Sequence, residues 1–390
     1  MKLSYPLILL SALVFSFSIA AAQHLTSAKL YLKQLQFDKA EEAAIKAVEK
    51  DSTDGEAWFV LGKARYELRK YIGMNEAFGK ALVLDAEDYK QDIQRYRFKV
   101  WADSYNAGVK YYRRGRDTAS FFQTAIDSFK VAMQVLPEST MTYYVCALSY
   151  FGNNQVDEAI KTLNKGLDRD PNKPEELDLL AKLHKDLARQ KAQAKDDSGA
   201  KKEYAFAATV YEKLCSLDSM NVTDVLSLID MYELSGQSDK VFPFISSAVS
   251  RDKNNTTFLY IYGIYLVKQE KYPEGIEQLL KVVQAKGDST NLVYSDAVYN
   301  LGVAYLNWGV GMKKVSDSIA EVKIKEKKKD FKEDLSYKEK FKAAIPYFEK
   351  AAELKKDDAV LWQQLGRLYA NLNMPDKANA AFKKVDELNK

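Results

Sequence analysis

The sequence predicts an all-α fold assembled from helix pairs repeated along the chain, and three observations carry that prediction. Helix breakers are sparse: 390 residues include 8 Pro and 17 Gly, while Ala, Lys, Glu and Leu recur throughout, and these residues lose little on entering a helix. Near the C-terminus, Trp362, Leu365, Gly366 and Tyr369 fall at i, i+3, i+4 and i+7; after a break at Asn373, Met374 and Pro375, Ala378 and Phe382 follow four apart. That spacing describes two helix stripes joined by a turn. The same alternation of small and large residues recurs upstream, as Gly62 then Phe78, Ala147 then Leu163, and Gly302 then Phe348. A single such pair cannot bury its apolar faces alone, so each pair needs a neighbour.

The pattern W-x2-L-G-x2-Y followed by A-x3-F resembles the tetratricopeptide repeat (TPR), whose period is 34 residues. Gly366 and Ala378 lack bulk, so two antiparallel helices approach closely while Trp362, Leu365, Tyr369 and Phe382 fill the seam. The resemblance implies a right-handed α-solenoid of about nine TPR-like helix pairs, near residues 23–54, 55–88, 89–139, 140–173, 174–221, 222–255, 256–294, 295–358 and 359–390. Two departures from that period are read from their own residues as a protruding helical hairpin in the eighth pair, at 310–340, and a shorter one in the fifth.

In chain order, the first pair is degenerate, with Ala28 and Tyr31 in its first helix and Ala40, Ala44 and Ala47 in its second. The second carries Trp58, Leu61, Gly62, Phe78 and Ala81, with Met74 at the usual Ala place and Tyr66 one place late. Residues 89–100 contain no Pro or Gly and are expected to extend the next helix, which presents Trp101, Tyr105, Ala107, Gly108 and Tyr111. After a short insert, Arg116 to Phe121, come Ala125, Phe129 and Ala132, and Pro137 stops that helix. The fourth pair is regular, from Tyr143, Ala147 and Tyr150 to Ala159, Leu163, Gly166 and Pro171.

The fifth keeps Leu177, Leu180 and Ala181, then Ala207 and Tyr211, with the turn assigned to Asp196-Asp197-Ser198-Gly199. In the sixth, Val225, Leu228, Tyr232, Gly236 and Ala248 hold the phase, and Pro243 is expected to bend or delay the second helix. Leu259, Gly263, Gly275 and Leu279 mark the seventh, where Pro273 suits a first turn. The eighth has Leu301, Gly302 and Tyr305, then its insert, then Ala344, Phe348 and Ala351. Apolar residues in that insert, Val315, Ile319, Val322, Phe331 and Leu335, are spaced for helix rather than for a solvated loop. The ninth pair ends the sequence without a polar capping helix, leaving a face for a partner or for self-association.

Met1 to Ala22 reads as a secretory signal peptide cleaved after Ala22: one charge at Lys2, an apolar stretch from Leu7 to Ile19, then Ala20-Ala21-Ala22. The expected destination is the bacterial periplasm, with no transmembrane segment after cleavage and no Cys at the cleavage point for lipidation. Two cysteines, Cys146 and Cys215, make no disulfide framework and are expected to be buried thiols. A net charge of +4 gives no electrostatic case for nucleic acid.

Chemistry is sparse. His24 and His184 are the only imidazoles, so His-based metal motifs are absent, and no nucleophile elbow or phosphate-binding glycine loop is present. His184 sits where the repeat places a packed residue. The acidic pairs Asp196-Asp197 and Asp357-Asp358 stand at expected turns. No catalytic residue, metal site or cofactor is expected, and the chain is not read as an enzyme.

Binding is the remaining class. The TPR resemblance implies that first helices line a concave groove, and the matching places here hold Phe59, Lys63, Tyr66, Tyr105, Tyr112, Tyr144, Phe151, Tyr260 and Tyr299, with Asp178, Lys182 and Asp230 among them. The family's two-carboxylate clamp is not expected, because, although Lys63 has the right place, Phe59 and Met141 stand where cationic partners would be. The expected function is a non-enzymatic protein–protein interaction scaffold of the bacterial cell envelope, holding a peptide or protein partner in that groove or against its terminal helices. The alternative is a carbohydrate-binding module of a glycan-uptake system, since SusD-like proteins also join TPR helices to aromatic platforms; they usually carry the lipidated Cys absent here.

Overall fold

The computed structural model describes residues 21–217, 221–285, 292–325, 332 and 334–389; every regular element among them is helical. Residues 1–20 of the signal peptide expected at 1–22 lie outside them, whereas Ala21 and Ala22 open the first helix. The chain divides into two compact units, Met1–Leu217 and Asp218–Lys390. The first contains α1 (21–33), α2 (Phe37–Lys50), α3 (Gly55–Glu67), α4 (Tyr71–Leu84), α5 (Ala86–Gly115), α6 (Ser120–Val135), α7 (Thr140–Gly152), α8 (Val156–Leu167), α9 (Pro174–Gln193) and α10 (Asp197–Leu217). The second contains α11 (Val222–Ser235), a 3-10 turn (Ser238–Lys240), α12 (Val241–Arg251), α13 (Thr256–Lys268), α14 (Tyr272–Gln284), α15 (Leu292–Lys325), α16 (Tyr337–Leu354), α17 (Ala359–Asn371) and α18 (Pro375–Leu388).

Consecutive helices pack as pairs because a side chain is missing at one place of the first helix and a large one occupies the facing place of the second. A Cβ on Gly62 would lie 2.3 Å from the Phe78 ring, one on Gly366 2.6 Å from Phe382, and one on Gly302 2.9 Å from Phe348. Phe78, Phe129 and Phe348 are fully buried, each contributing roughly 1.5–3 kcal/mol by leaving water. In α13 and α14 two glycines meet: a Cβ on Gly275 would stand 2.9 Å from the Gly263 carbonyl oxygen, so backbone lies on backbone.

The turns are equally regular. Leu35, Arg69, Asn154, Gly236, Glu270 and Asn373 all have positive φ, between 55° and 82°, and all stand at the same phase of the repeat, just after the first helix. The left-handed residue reverses the chain and lets the orphan amides of the turn reach back, as Lys70 N–H donates to the Arg65 carbonyl at 2.8 Å and Met374 N–H to Tyr369 at 2.9 Å. First helices are capped by Asp54, Asn255 and Asp358, whose side chains accept from the N–H of Ala57, Phe258 and Leu361.

Two local expectations hold and two change. α5 runs unbroken from Ala86, so residues 89–100 are indeed its N-terminal part. The fifth-pair hairpin turns at Ala194-Lys195-Asp196, with Lys195 at φ 63°, whereas Asp197-Ser198-Gly199 already belong to α10. Asp196 instead caps that helix by accepting from Gly199 N–H at 2.8 Å. In the eighth pair the outbound arm is a direct continuation of α15 to Lys325, while residues 334–336 of the return are not helical and α16 starts at Tyr337; Phe331 lies outside the described residues. Pro243 has the delaying effect expected of it: a 3-10 turn precedes α12, and Pro243 falls in the first turn of that helix.

Cys146 and Cys215 are both buried thiols, and burial pushes the Cys146 thiol up to about 12, which leaves it protonated and inert. Among the described residues no helix is long and apolar enough to cross a membrane.

Candidate functional site

The first helices of the N-terminal unit bring several of the expected groove residues together. Tyr105 on α5 stacks on Trp101 at 5.4 Å and meets Phe129 edge-on at 5.9 Å. Tyr112, two turns on, leans on Phe122 at 5.9 Å. Tyr144 on α7 is half-buried, and its hydroxyl is pushed up in pKa by burial first and then by the charge of Asp178 and the nearby Tyr112. Those effects place Tyr112, Tyr144 and Asp178 within electrostatic reach of one another, across α5, α7 and α9. Lys182 donates to Asp178 at 2.6 Å, closing the edge with a charged pair. Phe151 is 38% exposed and Met141 60%, so α7 offers two uncovered apolar side chains beside the half-buried ring of Tyr144.

Phe59 does not join this surface. It is buried, stacked on Tyr89 at 4.5 Å and tilted against Phe78 at 5.8 Å, a core ring between α3, α4 and α5. Tyr66 is also engaged in packing, edge-on to Tyr96 at 4.8 Å with the Lys99 ammonium over its ring. Lys63 sits 5.5 Å above Phe59 and lines, with Lys29 and Glu56, a recess of about 410 Å³ beside α1 and α3.

Tyr260 and Tyr299 belong to the C-terminal unit, where both are tied into hydrogen bonds. Asn300 Nδ2 donates to the Tyr260 hydroxyl at 3.2 Å, and the Tyr299 hydroxyl donates to Gln364 Oε1 at 3.3 Å. Burial, with Asp296 nearby, pushes the Tyr260 hydroxyl up to about 12. These two tyrosines join successive first helices to each other. Met141 is the contributor that sequence reasoning set aside; its place in the repeat was the available signal.

His184, one of the chain's two imidazoles, serves packing. His184 Nδ1 is 2.8 Å from Glu203 Oε2 and its ring stacks on Phe206 at 5.3 Å, binding α9 to α10. Burial raises the pKa of Glu203, but hydrogen bonds from Lys191 and His184 outweigh it and hold the carboxyl below its usual range. Among the described residues no group of His, Cys, Asp and Glu is disposed to hold a metal.

Sequence comparison agrees with the repeat geometry. Family models described as tetratricopeptide repeat match residues 25–71, 142–173 and 359–390, and one described as anaphase-promoting complex, cyclosome, subunit 3 matches residues 200–282. The chain is a tetratricopeptide-repeat protein, and repeats of this kind build protein-interaction scaffolds. Solved structures similar to it include YrrB, described as a TPR protein with an unusual peptide-binding site, at 18% identity over 60% of this chain and 95% of that chain with a TM-score of 0.38. MamA is similar at 22% identity over 52% of this chain and 94% of that one, with a TM-score of 0.35. At these values neither neighbour fixes the arrangement of the repeats. No curated protein matches the chain significantly.

Proposed function

We propose that the chain is a non-enzymatic scaffold of the bacterial cell envelope, exported by residues 1–22 and holding a peptide or protein partner on the first-helix face of α5, α7 and α9. The observation that carries this reading is the clustering of Tyr105, Tyr112 and Tyr144 with the exposed Phe151 and Met141, next to the Asp178–Lys182 pair. Tyrosine presents a wide apolar face with a polar tip at little entropic cost, and flexible methionine adapts to what lies against it. A face with rings at its centre and charges at its rim is the composition that protein recognition favours. Export is supported by the leader alone, with its apolar stretch and small-residue terminus.

The test is affinity capture by the mature protein from an envelope fraction, with the Tyr112→Ala/Tyr144→Ala variant run in parallel. The proposal expects proteins that are retained by the wild type and lost from the variant. The same proteins retained by both, or binding of oligosaccharide with no protein, would remove the first-helix face from this role.

A further inference from the structure

A second recess opens on the opposite kind of helix, between α6, α7 and α8, with a volume of about 870 Å³. Its floor is apolar and aromatic, made by Met133, Pro137, Tyr143 and Tyr150, and its rim is basic, with Lys130, Lys161, Lys165 and Arg169 against the single carboxylate of Glu158. Glu158 is already committed to Lys161, whose Nζ donates to it at 2.7 Å. The other three cations have no carboxylate partner among the described residues. Arg169 lies 4.9 Å from the Tyr143 ring centroid and spends one N–H on the Lys165 carbonyl at 2.6 Å; Lys130 lies 5.8 Å from the Tyr150 ring. Both heads are thus steadied by aromatic faces with donors left over. Lys165, in the last turn of α8 and four residues before Arg169, is exposed.

We propose that this recess binds an acidic segment of a partner protein, one that carries an apolar side chain among its carboxylates. The carboxylates meet Lys130, Lys165 and Arg169, and the apolar group rests on Met133 and Pro137 between the two tyrosines. Charge complementarity selects an anion; the apolar floor selects a peptide over a bare phosphate, which has nothing to place there. A nucleic acid is disfavoured because its phosphates need a continuous basic track, and the chain's net charge is only +4. This site goes beyond the first-helix face and does not depend on it.

Fluorescence anisotropy of the intact mature protein with a fluorescein-labelled peptide of alternating Glu and Asp around one central Leu tests it. Saturable binding is expected, about tenfold or more weaker in Lys165→Glu/Arg169→Glu and clearly weaker in the milder Lys130→Gln. Binding should be unchanged in Tyr112→Ala/Tyr144→Ala and lost when the peptide acids are replaced by their amides. No saturable binding, equal affinity in the rim variants, or competition by tripolyphosphate as strong as by unlabelled peptide would overturn the assignment.

Discussion

The α3–α4 pair and the α11–α12 pair occupy equivalent stages of the repeat yet are held together differently. In α3–α4 the missing side chain of Gly62 admits the buried ring of Phe78, and the two helices touch along most of their length. In α11–α12 the place of Gly62 is filled by Ile229 and that of Met74 by Val241, both buried, and α12 starts late behind its 3-10 turn. The helices there meet along a much shorter seam. The lesson is that the residue at the place of Gly62 sets how closely a pair closes, since the second place holds the bulky Met74 in the close pair and Val241 in the loose one.

The largest expected effect on this contrast is Phe78→Ala, which empties the α3–α4 seam and should cost about 4 kcal/mol, read by denaturant unfolding with hydrogen exchange of α3 and α4 as the local probe. A cost below about 1 kcal/mol would show that the ring does not hold the pair. Gly62→Ala comes next, at about 1–3 kcal/mol, because the new methyl would overlap Phe78; a neutral Gly62→Ala breaks the explanation. At the same place in the loose pair, Ile229→Val should cost about 1 kcal/mol, an ordinary core trimming with no change in helix spacing.

A poorly fitted seam of another kind lies at the start of α9. Glu176 is buried beside Gly166, and its Oε2 has no hydrogen-bond partner among the described residues. Burial pushes its carboxyl up to about 7, above its unfolded value near 4.5. The folded state therefore holds this proton more tightly than the unfolded chain. The associated stability is fully present below the ordinary carboxylate range and is lost as pH rises through about 7. Wild-type protein should melt lower at pH 8 than at pH 5 in this part of the chain, and Glu176→Gln should flatten that difference. An unchanged pH profile in the variant would assign it elsewhere. The smallest effect is Lys46→Ala: it removes an exposed i,i+4 pair with Glu42 and should leave the melting temperature where it was.

Much of this was legible because it follows from side-chain volume in step with a helical period. Gly62, Gly302 and Gly366 announced the close approaches, and Pro243 announced the delayed α12. The left-handed turn residue was not legible: only Asn154, Gly236 and Asn373 are residues that favour positive φ, while Leu35, Arg69 and Glu270 adopt it because the flanking helices impose the reversal. Phe59 was misplaced for a related reason. Its burial is completed by Tyr89, which lies on the added N-terminal turns of α5, a segment outside the repeat pattern. The basic recess between α6, α7 and α8 escaped because its cations are scattered from Lys130 to Arg169 in the chain and converge only when the second helices pack.

A partner held on the first-helix face of α7 must rest against Phe151. A photocrosslinking amino acid placed at Phe151, with Val83 on α4, 83% exposed, as the reference position, tests this directly in the protein exposed to a lysate of its own cells. A defined adduct from position 151 that is absent from position 83 is the predicted result. Equal labelling at both positions, or adducts from position 83 alone, would contradict it.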